Sequence, residues 1–123
     1  MRGNPRRLLD MALAGEINLS VSQPILDELA DVLARKFDAS PEDVEEAKAI
    51  VTQAARTVKP SVTLNVIKED LADNRILECA VSAGSDFIVT GDKDLLRLGS
   101  YDAIRIVNVA DFLEIAAKQV RGR

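Results

Sequence analysis

Residues Asp73 to Leu98 read DNRILECAVSAGSDFIVTGDKDLLRL, and this stretch decides the fold. Ile76, Leu77, Ala80, Val81 and Ala83 recur at helical spacing. They predict an amphipathic helix over Asp73–Ala83 with one inward stripe, stopped at Gly84. Phe87 to Thr90 is short and nearly all apolar, as a strand buried on both faces should be. Gly91 permits a sharp turn after it, and Lys93–Leu98 is predicted to form a helical turn or two. Helix, buried strand and helix joined by short connections point to a parallel α/β fold.

The same alternation continues on both sides. Upstream, Val62–Ile67 is a β-branched run and a predicted strand. Ser40-Pro41-Glu42-Asp43 opens a helix to about Thr57, with an acidic first turn suited to the helix dipole. Ser22 caps a helix to about Phe37 with Pro24 in its first turn; Ile25, Leu29, Val32, Leu33 and Phe37 form its apolar face. Ile17–Val21 is a predicted strand, and Pro5–Ala14 a short helix. Downstream, Ile104–Val107 is the last strand, and a final helix runs from Asn108–Asp111 to near Gln119. Residues 1–123 are expected to form one α/β domain, a short parallel sheet with helices on both faces. A doubly wound fold usually opens with a strand; this chain opens with a helix.

Composition narrows the chemistry. With no histidine there is no histidine triad or His-ligated zinc, and with one cysteine there is no internal disulfide or CxxC site. Aromatics at 3% disfavour a base-stacking platform. The 16 basic and 20 acidic residues leave a net charge of −4, so a site here is expected to use Asp and Glu. Oxygen ligands suit hard cations, which makes Mg²⁺ or Mn²⁺ the natural cofactor. No apolar run approaches the roughly 20 residues of a membrane span, and the N-terminus lacks a secretory pattern, so a cytoplasmic setting is the expectation.

Ligands of open parallel sheets bind beyond the carboxyl ends of the strands. Glu28, Asp70, Asp73, Asp92 and Asp94 all follow predicted strands. A cluster of such acids repels itself unless a cation sits in it. Each also has a plainer role. Glu28 lies on the border of its helix's apolar face and, taken alone, reads first as a solvated carboxylate. Asp73 and Asp92 each stand where an N-cap is common, and Asp94 reads first as a first-turn helix acid. Cys79 is expected to be a packed core thiol, and Lys93 and the arginines Arg2, Arg6 and Arg7 to be solvated surface.

Together these segments resemble a PIN domain of the VapC-like toxin type. The likeness is carried by Gly3-Asn4-Pro5 with Leu8-Leu9 leading into Ser22–Leu29, by Asp73-Asn74-Arg75-Ile76-Leu77-Glu78-Cys79-Ala80, and by Asp86 to Leu96. The tail Ile104–Val107 to Phe112-Leu113 also fits. The resemblance implies a three-layer α/β/α fold with a parallel sheet of about four strands. It implies a Mg²⁺- or Mn²⁺-dependent endoribonuclease, a small antitoxin partner and a homodimer or larger assembly. The matching acids are Glu28, Asp73 and Asp92, with Asp94 as a weaker metal ligand and Thr90 as the group that orients Asp92. The family pattern also opens with a strand ending in Asp-x-Asn. No counterpart precedes Gly3, so the sheet is expected to lack that central strand and the site its first Asp. Two rival expectations differ in class: a catalytically impaired PIN module that acts by binding, and a receiver-like signalling domain. The second needs a late lysine at a strand end, and the sequence has none.

Overall fold

Helix α4 (Asp73–Ala83) organises the molecule. The computed structural model describes residues 5–121. Leu77 on α4 is fully buried, and Cys79 and Ala80 nearly so. Gly84 closes the helix in the left-handed region at φ 67°, its N–H returning to Ala80 O. Only glycine takes that conformation without strain, so the stop read at Gly84 has a physical cause.

Before α4 come α1 (Pro5–Leu13), β1 (Leu19–Val21), α2 (Gln23–Lys36), α3 (Pro41–Ala54) and β2 (Ala55–Thr57). After it come β3 (Phe87–Val89), α5 (Lys93–Leu98), β4 (Ser100–Tyr101), β5 (Ile104–Val107) and α6 (Val109–Arg121). The architecture is α/β, of the three-layer α/β/α type. Ser40 caps α3 by accepting the Asp43 N–H at 3.1 Å, as its sequence predicts. Ile67, Leu77, Ala80, Ile88, Leu95, Ile104 and Ile106 form the core cluster, drawn from the segment before α4, helices α4 and α5, and strands β3 and β5.

The sheet is not one continuous piece. β1 pairs in parallel with β2, Leu19 opposite Ala55 and Val21 opposite Thr57. β3 pairs in parallel with β5, Phe87 opposite Arg105 and Val89 opposite Val107, and β4 adds antiparallel to the far side of β5. Helix α4 packs on both β1 and β3 and so bridges the two pieces.

Three expectations are corrected. The strand expected at Val62–Ile67 is absent, and the strand beside β1 is Ala55–Thr57, which the sequence reading had given to the end of α3. Residues 61–67 instead run along α4, whose side chains accept backbone N–H groups of this segment. Ser82 Oγ accepts from Ser61 N at 3.0 Å, Glu78 Oε2 from Leu64 N at 2.8 Å, and Asn74 Oδ1 from Val66 N and Ile67 N at 2.9 Å each. Positions 74, 78 and 82 recur every four residues and share one helix face. Phe37 is the third correction. It is 70% exposed rather than inward, because it is the C-cap, with φ −116°, and has left the helical period; Leu26 is the buried residue of α2.

Candidate metal centre

Three elements deliver three carboxylates to one point. Asp70 sits in the turn that feeds α4: its carbonyl accepts the Asp73 N–H at 3.1 Å, and its Oδ1 accepts the Ala72 N–H at 3.1 Å. Asp73 is the first residue of α4. Asp92 follows β3 and caps α5, its Oδ1 accepting from Asp94 N at 2.9 Å and Leu95 N at 3.1 Å. Thr90 Oγ1 accepts the Asp92 N–H at 3.0 Å and so fixes the turn that carries Asp92. One carboxylate oxygen from each of Asp70, Asp73 and Asp92 lies within 4.8 Å of the others.

Burial differs across the three. Asp70 is exposed, Asp92 half-buried, and Asp73 only 5% exposed. Burial pushes the Asp73 carboxyl up to about 7, and the neighbouring charges of Asp92, Asp70 and Asp94 act in the same direction. Asp92 goes the other way. Its burial works against the charge, but the Leu95 N–H, the proton on Asp73, the Asp94 N–H and the Arg97 charge together hold it below the usual carboxylate range. Of the two, Asp73 is therefore the carboxyl that takes up a proton more readily. Among the described residues, the Oδ2 of Asp73 is buried without a hydrogen-bond partner. A buried carboxylate with an unpartnered oxygen, close to two other acids, is a donor set for a hard divalent cation, and Mg²⁺ and Mn²⁺ both fit that chemistry.

The sequence-predicted residues divide as follows. Asp73 and Asp92 come together, with Thr90 bonded behind Asp92. Asp73 is not an N-cap, since Ala72 holds that position without a side-chain bond. Asp92 is both cap and cluster member, its capping oxygen being Oδ1. Asp94 lies in the first turn of α5 and pairs with Arg97 at 2.9 Å. Glu28 is exposed on α2, outside the group of three. Asp70 joins Asp73 and Asp92, although the resemblance does not name it as a ligand. The signal in the sequence is its position three residues before Asp73, at the start of the same turn. Cys79 is buried, and burial pushes its thiol up. Arg6 pairs with Asp10 at 3.4 Å, while Arg2 and the Gly3-Asn4 part of the resemblance lie outside the described residues.

No curated protein matches the chain. The family model for the PIN domain matches residues 1–94, a span that carries Glu28 and all three clustered acids. That match covers well over half of the sequence and agrees with the fold and with the three converging aspartates: the chain belongs to the PIN domain family.

Proposed function

We propose that the chain is a Mg²⁺- or Mn²⁺-dependent endoribonuclease of the VapC-like toxin type, hydrolysing RNA phosphodiesters at the Asp70–Asp73–Asp92 site. The observation that carries this reading is the buried, unpartnered Asp73 Oδ2 within a PIN domain, a family whose members are generally metal-dependent nucleases. Asp70, Asp73 and Asp92 would hold the ion, with Asp94 as a weaker contributor and Glu28 as a proposed fourth acid from α2. A divalent ion bound there supplies Lewis-acid chemistry, activating water and neutralising charge on a phosphodiester. The chain's own residues prepare the site. Asp92 commits Oδ1 to the α5 cap, which leaves its other oxygen for a ligand. Thr90 fixes the backbone turn that carries Asp92, and the α5 N–H groups keep its carboxylate from turning away. The proton held by Asp73 must leave when an ion enters, so binding should strengthen with pH.

The experiment is cleavage of a single-stranded RNA by the folded protein in Mg²⁺ or Mn²⁺. Cleavage that stops on chelation is expected. RNA left intact while the protein binds the ion would contradict the enzyme and favour a binding module of the same fold.

The proposal includes RNA as substrate, a small antitoxin protein as partner, and a homodimer or larger assembly. The split sheet supports self-association: β1 and β3 each have an edge without a paired strand among the described residues, and such edges favour association. Light scattering should report at least a dimer; a monomer that persists at high concentration would refute this part.

A further inference from the structure

We propose that Asn74 is a positioning residue for the metal centre: its side-chain amide fixes where Asp70 stands relative to Asp73. The inference rests on reading Asp70, Asp73 and Asp92 as a metal site. Asn74 is 1% exposed and uses its whole hydrogen-bonding capacity. Oδ1 accepts from Val66 N and Ile67 N, both at 2.9 Å. Nδ2 donates to Ile67 O at 2.9 Å and to Leu71 O at 3.3 Å.

Those partners bracket Asp70. Ile67 precedes it and Leu71 follows it, so one amide grips both ends of the short exposed connection Lys68–Asp70. The remaining bonds of that connection are local. Lys68 N donates to Glu69 Oε2, Lys68 Nζ to Asn65 O, and Asp70 itself bonds only within its own turn. Asn74 is also the chain neighbour of Asp73, on the rigid first turn of α4. The amide therefore ties the Asp70 connection to the residue beside the buried ligand. This matters because carboxylate oxygens of Asp70, Asp73 and Asp92 lie within 4.8 Å of one another, and like charges that close drive an untied loop apart.

The same segment has other ties to α4. Glu78 holds Leu64 N, and Ser82 holds Ser61 N, both farther along the chain from Asp70. They provide the control. A merely structural Asn74 would lower stability as Glu78 does and leave the affinity of the folded protein alone. A positioning Asn74 changes the affinity itself.

The experiment is calorimetric titration of Mn²⁺ at 10 °C, with circular dichroism confirming folding and a denaturant curve for each protein. The proteins are wild type, Asn74→Ala, Asn74→Ser and Glu78→Ala. Asn74→Ser keeps a hydroxyl that can meet one of the two N–H groups, so it guards against loss of the fold in Asn74→Ala. Both Asn74 variants are expected to bind Mn²⁺ about 10- to 100-fold more weakly, the usual cost of losing a group that orients a ligand. Glu78→Ala is expected to lose stability while keeping its Mn²⁺ affinity within about twofold. Wild-type affinity in a folded Asn74 variant overturns the inference, and so does an equal loss in Glu78→Ala. Wild-type protein that binds no Mn²⁺ overturns the metal-site reading itself, and with it this inference.

Discussion

Asp73→Asn should make the metal-free protein more stable at pH 8 while removing its response to Mn²⁺. An aspartate in an unfolded chain titrates near its ordinary 3.8; in the folded protein Asp73 is pushed up to about 7. Between those values the folded state binds the extra proton, so stability falls as pH rises through the window and levels off above it. At about 1.4 kcal/mol per tenfold change in proton affinity, the whole effect reaches roughly 4 kcal/mol. Asparagine is neutral at every pH and can donate to Asp92, so the variant should recover most of that stability and lose the slope. Its metal response should vanish as well. Ligand at about 100 times its dissociation constant stabilises a folded protein by about 2.7 kcal/mol, and a variant that cannot bind gains nothing. Denaturant curves at pH 5 and pH 8, with and without Mn²⁺, check both signs. A variant less stable than wild type at pH 8, or one still stabilised by Mn²⁺, would contradict the assignment.

The second large effect lies in the core. Leu77→Ala is expected to cost about 2–5 kcal/mol, as buried leucine truncations do. Leu77 is 0% exposed and lies on α4, the helix that bridges β1 and β3. Among the described residues the two short sheet pieces share no strand pairing, and α4 packs against both. Against a total stability of roughly 5–15 kcal/mol, that loss leaves a substantial unfolded population on warming. Thermal unfolding followed by circular dichroism checks it; a change under about 1 kcal/mol would mean that α4 is not the joint.

Much of this was legible in residues. Gly84 and Ser40 fixed the ends of α4 and α3 because each satisfies one local backbone need. Ile104–Val107 and Lys93–Leu98 emerged with the bounds that the periodicity predicts. Val62–Ile67 failed for a physical reason. Strand propensity measures fit to a half-buried extended surface, but a strand also needs a backbone partner; the hydrogen bonds of this segment go to side chains of α4 rather than to another strand. Asn74, Glu78 and Ser82 look like ordinary helix residues until their spacing is matched with a facing backbone. Ala55–Thr57 is a strand only because β1 lies beside it, and no local pattern announces that.

The site was legible in part for a similar reason. Asp73 and Asp92 follow from the rule that ligands gather beyond strand ends, and Thr90 from the resemblance to the PIN family. Asp70 needed the turn geometry, which brings a residue three places upstream back to the start of its helix. Helical phase puts Glu28 at the border of an apolar face, and the structure leaves it exposed on α2.

The most direct measurement is the rate of RNA cleavage in Mn²⁺ by wild type and by Asp92→Asn, with both proteins shown to be folded. The Asp92 carboxyl is held below the usual carboxylate range, and Asp92→Asn removes its charge without removing volume. The predicted result is cleavage by wild type that falls by about 100-fold or more in the variant. Undiminished cleavage by Asp92→Asn would contradict the assignment of the three aspartates as the nuclease centre.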